Sequence, residues 1–111
     1  MKKVKFFKYC VDPKTGKPFA AESSGYADFV QENAISLDVI YEPHYFKKCT
    51  KWTATEKNTG IGISPECNTR KEAVIFVYHH IYEIDAKLTN DNNKSLIQKA
   101  YSAVQDAYSK R

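Results

Sequence analysis

The first half of the chain alternates apolar and polar side chains, a pattern typical of half-buried β-strands. Residues 4–11, VKFFKYCV, are rich in β-branched and aromatic side chains and predict a strand whose core face carries Val4, Phe6 and Cys10. Residues 35–42, ISLDVIYE, alternate in the same way. The sequence therefore predicts a sheet with one apolar face.

Two turns with the same chemistry separate further candidate strands. DPKTG at residues 12–16 and EKNTG at residues 56–60 each place an acid four residues before a glycine, which favours a turn closing a hairpin. The first turn leads into a short returning strand. Residues 44–56, which follow Pro43, read as one long strand, and IGIS at residues 61–64 as its returning partner.

A helical spacing appears between these strands. Ser24 is a candidate N-cap, and Tyr26, Phe29 and Val30 follow it at intervals of three and four residues. We therefore expect one short helix near residues 25–33.

The second half of the chain has the periodicity of helices. Thr69 and Glu72 form a capping-box sequence at the start of the first helix. TNDNN at residues 89–93 contains residues that favour turns and divides this helix from a last one. The apolar stripe of the first helix is Val74, Val77, Ile81, Ile84 and Leu88, which Ile75 and Phe76 widen, and that of the last helix is Ile97, Ala100, Tyr101, Val104, Ala107 and Tyr108.

These elements predict an α+β fold in a single small domain spanning residues 1–111. An antiparallel sheet of four to five strands is expected to pack against a C-terminal αα-hairpin. The length of 111 residues, with 42% hydrophobic and 27% charged residues, is ordinary for one globular domain.

The basic start MKKVKFF lacks the apolar core of a signal peptide, because Lys5 and Lys8 interrupt it, and no apolar run is long enough for a membrane span. The three cysteines are an odd number and widely spaced, as in a reduced protein. We therefore expect a cytoplasmic protein without membrane contact. The net charge of +4 permits an acidic partner.

The sequence offers little catalytic or metal-binding chemistry. The cysteines and histidines lack the spacing of zinc ligands, and no nucleophile has an evident base beside it. The acids, such as Asp38 and Glu42, lie at positions expected to face solvent. Gly60 and Gly62 lack the lysine of a phosphate loop; a turn explains Gly60, and a bulge or close helix approach explains Gly62. We expect no enzyme activity, no cofactor and no metal.

The strongest functional pattern interleaves basic and aromatic residues in HYFKKCTKW, residues 44–52. Such a strand can stack bases and neutralise phosphates, and cations in the first turn of a helix strengthen its preference for anions. The competing explanation is a solvated strand whose lysines prevent edge-to-edge aggregation. The candidate nucleic-acid-binding residues are Tyr45, Lys47, Lys48, Lys51, Trp52, Arg70 and Lys71.

Residues Trp52 to Tyr82 resemble parts of two families. Lys71, Glu72 and Ala73 match the helix start of the double-stranded-RNA-binding domain, although Arg70 stands where that family has a second lysine. Thr69, Glu72 and Ala73 are similar to the capped helix of the HicB-type antitoxin domain. We assign the chain to neither family.

Two functions are therefore expected. The first is a small non-enzymatic binding protein that contacts RNA, DNA or a nucleoprotein through the basic and aromatic residues. The alternative is a protein–protein adaptor, antitoxin or inhibitor, encoded by a mobile element, that adds a strand to a partner at an exposed sheet edge. A homodimer through the same edge is compatible with either function.

Overall fold

A computed structural model describes residues 1–110 and confirms the α+β class. The four strands form one antiparallel sheet in the order β1-β2-β3-β4, and the helices follow them in the chain. The elements are β1 (Lys2–Val11), β2 (Pro18–Glu32), β3 (Ile35–Tyr45), β4 (Thr50–Glu56), α1 (Arg70–His79), α2 (Ile81–Thr89), a single 3-10 turn (Asp91–Asn93) and α3 (Lys94–Ser109).

The two Thr-Gly turns have the same geometry, as their sequences predict. The Gly16 N–H donates to the Asp12 carbonyl over 2.8 Å, and the Gly60 N–H donates to the Glu56 carbonyl over 2.9 Å. Both glycines are left-handed, with φ of 71° at Gly16 and 67° at Gly60. In each turn the carboxylate of the acid also accepts a hydrogen bond from the backbone N–H two residues later. Lys14 donates to Asp12 and Asn58 donates to Glu56, both over 2.8 Å. Local chemistry therefore fixes both turns.

The main core lies between one face of the sheet and the first two helices. The predicted helical stripe supplies the buried Val77, Ile81 and Ile84. The sheet supplies Leu37, Val39 and Tyr41 from β3, with Val30 and Ala54 from its neighbours. Burial of this apolar surface, at roughly 25 cal/mol per Å², is the main force that holds α1 and α2 on the sheet.

The β1–β2 hairpin bends away from β3 at Gly25. Pairing of β2 with β3 begins at Tyr26, whereas its pairing with β1 covers Pro18 to Ala27. A Cβ on Gly25 would lie 2.6 Å from Ile40 Cγ2, so only glycine allows this close crossing. The sheet curls until the Tyr9 N–H on the outer edge of β1 donates to the Gly60 carbonyl beyond β4, over 2.9 Å.

The expectation of a helix near residues 25–33 is wrong, because these residues belong to β2 and the turn after it. Tyr26 and Val30 are four residues apart, which puts them on one face of a helix and equally on one face of a strand. Phe29 distinguishes the two patterns, since it is 56% exposed on the opposite face. Pairing with β3 along residues 26–32, joined at Tyr26 and Ala27 by pairing with β1, outweighs the local helical spacing.

The predicted strand at residues 44–56 is also divided differently. His44 and Tyr45 complete β3, and Phe46 to Cys49 form the turn into β4. Pro43 does not end β3, although it lacks an N–H. Trp52, which lies opposite Pro43, exchanges its backbone hydrogen bonds with Cys67 on the outer side of β4. The nitrogen of Pro43 therefore faces the side from which β2 has departed, where no donor is needed.

The segment after the second turn is not a strand. Residues 61–67 run along the outer edge of β4 and form isolated bridges, with Gly62 opposite Thr55 and Cys67 opposite Trp52. A Cβ on Gly62 would meet nothing within 4 Å, so the expectation of a close approach there is wrong. This segment covers the edge of β4.

The first predicted helix is broken at His80, so that α1 and α2 are separate. The Thr69 cap is confirmed, because its hydroxyl accepts from the Glu72 N–H at 3.1 Å. The Glu72 carboxylate accepts from the Asn68 N–H at 2.9 Å rather than from Thr69. Ile75 does not widen the buried stripe and is 46% exposed.

The last helix packs on the β1–β2 hairpin. Ala100 and Val104 from its predicted stripe are fully buried, whereas Tyr101 is 51% exposed. The ring of Tyr108 meets that of Phe7 edge-on, with 5.0 Å between centroids. α1 contacts β3 and β4, α2 contacts β3, and α3 contacts β1 and β2, so each strand has a helix packed against it.

Candidate nucleic-acid interface

Arg70 at the start of α1 lies over two aromatic rings of the sheet. Its guanidinium carbon is 5.1 Å from the ring centroid of Tyr26 and 5.8 Å from that of Trp52. The two rings are themselves 5.9 Å apart. These distances are within the range of cation–π attraction, which orients the guanidinium without a carboxylate partner. Arg70 forms no ion pair within residues 1–110, so its charge remains available to an anion.

Trp52 is not the open stacking surface that the sequence suggested. It is half-buried and packs against the main core. The guanidinium of Arg70 occupies part of its remaining surface. Tyr26, the second ring under Arg70, was missed because residues around it were assigned to a helix. Only the strand pairing places Tyr26 beside Trp52, and no local sequence signal indicates this contact.

Lys51 lies close to the same helix start. Its ammonium donates to the side-chain oxygen of Asn68, two residues before Arg70. Lys51 and Trp52 point to opposite faces of β4, as neighbours in a strand do. The chain after Cys67 passes the edge of the strand, and this brings Asn68 within reach of Lys51.

The β3–β4 turn carries the most exposed part of the predicted site. Tyr45 is 80% exposed and Phe46 is 53% exposed, while Lys47 and Lys48 are also exposed. The Phe46 N–H donates to the Cys49 carbonyl over 2.9 Å, which closes the turn. These two aromatic side chains and two lysines are therefore accessible to a partner.

A small cleft adjoins this turn where β2 leaves β3. Its volume is about 220 Å³. Lys3 and Tyr26 lie opposite one another in the β1–β2 pair, and Tyr45 reaches the cleft from β3. The cleft is lined by Lys3, Ser24, Tyr26, Glu42, Pro43 and Tyr45, among others.

The predicted residues lie in and beside the β3–β4 turn and at the start of α1, and the contacts of Arg70 with Trp52 and of Lys51 with Asn68 join these two segments in a region that we call the basic end. Lys71 follows Arg70 in the first turn of α1 and is exposed. Glu72 is nearby, but its carboxylate accepts from the Asn68 N–H. The basic end consists of Lys3, Tyr26, Tyr45, Phe46, Lys47, Lys48, Lys51, Trp52, Arg70 and Lys71, of which Lys3, Tyr26 and Phe46 were not predicted.

Glu42 is a buried carboxylate beneath the cleft, contrary to the expectation that it faces solvent. It is 5% exposed. The Lys8 ammonium lies 3.1 Å from Oε1 and 3.2 Å from Oε2, and the Ser23 hydroxyl donates to Oε2. The His44 ring nitrogen Nε2 lies 3.6 Å from Oε1 and 2.8 Å from the Thr53 hydroxyl. The bend at Gly25 brings Lys8 and Ser23 over Glu42, so the pair is a tertiary contact.

A second cavity, of about 370 Å³, is larger than this cleft and is a mainly apolar groove lined by the helices and residues 61–65. None of the predicted site residues lines it. Residues 1–110 contain no group of three His, Cys, Asp or Glu side chains arranged to hold a metal ion. The helices of this part of the chain are too short or too polar to span a bilayer.

The three cysteines are free and differ in their surroundings. Cys10 and Cys67 are half-buried, whereas Cys49 is exposed in the β3–β4 turn. Burial, and secondarily the Glu72 carboxylate, raises the pKa of the Cys67 thiol. This direction opposes formation of a reactive thiolate at Cys67.

Comparison with known proteins identifies no relative: no family model, curated protein or solved structure matches this chain.

Proposed function

We propose that this protein is a small non-enzymatic binding module that contacts RNA or DNA through the basic end. The observation that carries the proposal is the position of Arg70 over Tyr26 and Trp52, beside an exposed turn with two aromatic and two basic side chains. A guanidinium held over aromatic rings keeps its N–H donors available to a phosphate or to a base. Tyr45 and Phe46 are free to stack on further bases.

The charge of the basic end supports the same function. It carries six cations, whereas its nearest buried acid, Glu42, is neutralised by Lys8. If four to six of these cations replace counterions on a single strand, the logarithm of affinity falls with the logarithm of salt with a slope of about −3 to −4. Binding of this kind is weak in high salt and strong in low salt.

The test is fluorescence anisotropy of labelled RNA and DNA oligonucleotides between about 50 and 200 mM salt. The double variant Lys47→Ala with Lys48→Ala is compared with Lys14→Ala with Lys17→Ala, which removes two equally exposed lysines from the β1–β2 turn. We expect only the first pair to lower the salt slope, by about 1.4 for a single strand.

Two results would reject this proposal. Equal weakening by both pairs of substitutions would show that net charge alone attracts the nucleic acid. No detectable binding of either polymer at about 50 mM salt would remove the nucleic-acid function itself.

A protein partner is the second candidate function, and the open part of the β1 edge favours it. The edge of β4 is covered by residues 61–67. On β1 the Tyr9 N–H bonds Gly60 and the Phe7 N–H donates to the Tyr108 hydroxyl at 3.4 Å. By alternation along the strand, the backbone groups of Lys3 and Lys5 also face outward, and both residues are exposed. An acidic extended segment could pair there.

Lys5→Pro tests this second candidate. Proline removes an outward N–H that β1 does not use in its pairing with β2, so we expect the fold to be retained. A partner that adds a strand would lose that hydrogen bond and bind more weakly. Unchanged binding of an acidic protein partner to this variant would exclude pairing at the β1 edge.

A further inference from the structure

The cleft beside the basic end exposes backbone hydrogen-bonding groups on two opposite walls. In β2, odd-numbered residues near Gly25 face β1, so the backbone N–H and carbonyl of Ser24 face the β3 side. In β3 the backbone of Pro43 faces the β2 side, as its pairing with Trp52 shows. The ladder between β2 and β3 stops at Tyr26 and Tyr41, so Ser24 and Pro43 form no ladder pair, and both residues line the cleft.

The walls and the mouth of the cleft suit a flat, charged ligand. Tyr26 and Tyr45 contribute rings, and Tyr45 is 80% exposed. Lys3 places an exposed ammonium at the same opening. Glu42 lies at the cleft, where its Oε2 accepts from Lys8 and Ser23, while its Oε1 is buried, has no hydrogen-bond partner within residues 1–110 and lies 3.1 Å from the Lys8 ammonium. Because Oε1 is shielded from solvent, hydrogen bonds to a ligand at the mouth of the cleft would come from the backbone of Ser24 and Pro43.

The size of the cleft limits the ligand. About 220 Å³ is less than the roughly 300 to 1,000 Å³ of a pocket for a drug-sized molecule, so the space suits one flat ring system. The edge of a base carries donors and acceptors that match a backbone N–H and carbonyl, and its phosphate can reach Lys3. In a duplex this edge is hydrogen-bonded to the paired base and is therefore not available to the cleft.

We propose that the cleft binds one unpaired base of a nucleic acid held at the basic end, so that the protein selects single strands over duplexes. This inference rests on the proposed nucleic-acid function and names its substrate. Loss of the stacking of one base on an aromatic side chain lowers affinity by roughly tenfold or more. Duplex binding, which uses phosphates alone, does not depend on the cleft.

The first experiment compares a single-stranded oligonucleotide with the blunt duplex of the same sequence by anisotropy at fixed salt. We expect the single strand to bind roughly tenfold more tightly, and Tyr45→Ala to remove this preference. The matched control is Tyr101→Ala, which truncates a 51% exposed tyrosine on α3. This control should keep the preference. Equal affinity for both forms, or an equal effect of the two substitutions, would overturn the inference.

The second experiment locates the base by NMR of the ¹⁵N-labelled protein titrated with each of the four nucleoside monophosphates. We expect the Ser24 amide to shift with at least one of them. Shifts confined to residues 46–49 and the start of α1 would keep the nucleic-acid function and reject the cleft. Absence of binding in both experiments would reject the proposed function as well.

Discussion

The substitutions Gly60→Ala and Gly16→Ala affect two turns with the same local chemistry, of which only the Gly60 turn contacts β1. The difference between their effects on the free energy of unfolding measures what this contact contributes. The two glycines have the same hydrogen bond and nearly the same φ, 67° and 71°. An added Cβ at Gly16 meets nothing within 4 Å, whereas at Gly60 it would lie 2.6 Å from the Tyr9 nitrogen and 2.8 Å from the Phe7 oxygen. The difference between the two substitutions therefore reports the close contact of β1 with Gly60.

The expected costs follow from these contacts. A left-handed alanine costs roughly 1 to 2 kcal/mol, partly offset by the lower entropy of the unfolded chain, so Gly16→Ala should lower the free energy of unfolding by about 1 kcal/mol. Gly60→Ala incurs the same cost. It also forces β1 away, which weakens the Tyr9–Gly60 hydrogen bond by about 1 kcal/mol and disturbs packing by roughly 1 to 3 kcal/mol. We expect a total loss of about 3 to 5 kcal/mol.

Urea unfolding monitored by tryptophan fluorescence and circular dichroism measures both variants. Since Trp52 is the only tryptophan and packs against the core, its emission reports the folded sheet. Equal destabilisation by the two substitutions would refute the reasoning, because it would mean that Gly60 makes no close contact with β1. A large loss at Gly16 would show that the positive φ alone decides both sites.

Three further predictions concern buried or reactive side chains. Tyr41→Phe should raise the free energy of unfolding by about 1 kcal/mol, because the Tyr41 hydroxyl is buried without a hydrogen-bond partner in residues 1–110. Burial, and secondarily the charge of a nearby aspartate, raises the pKa of Tyr41, so the unfolded chain loses this proton at a lower pH than the folded protein. The contribution of Tyr41 to the free energy of unfolding is therefore full below about pH 10 and is lost above it, and the variant should show a smaller loss. The same dependence of the free energy of unfolding on pH in both proteins would contradict this. Lys8→Met leaves the Glu42 carboxylate buried without its cation and should lower the free energy of unfolding in urea by about 2 to 3 kcal/mol. Adding Glu42→Gln should recover part of this loss, and unchanged stability of the single variant would contradict the ion pair. Iodoacetamide at about pH 8 should modify exposed Cys49 before Cys67, as mass spectrometry of partly modified protein would show; the reverse order would contradict the assigned exposures.

Seven of the ten residues of the basic end were predictable from the sequence. The basic and aromatic residues of the β3–β4 turn form a contiguous run, and Arg70 and Lys71 follow a readable helix cap. Tyr26 was not predictable, because its contact with Arg70 crosses from β2 to a helix far along the chain. The burial of Glu42 was missed for the same reason, since Lys8 reaches it only after the hairpin bends.

What the sequence by itself determined is local. The Thr-Gly turns, the Thr69 cap and the apolar stripes of the helices each depend on residues within a few positions of one another, so their chemistry is encoded in short segments. Where the local pattern was equally compatible with a helix and a strand, the tertiary structure decided which of them formed. Tyr26 and Val30 fit a helix and a strand alike, and backbone pairing with β3, together with β1 at Tyr26 and Ala27, made this segment part of β2. The same pairing, and the bend that Gly25 allows, brought Tyr26 to Trp52 and opened the cleft, because a sheet joins residues that are distant in sequence.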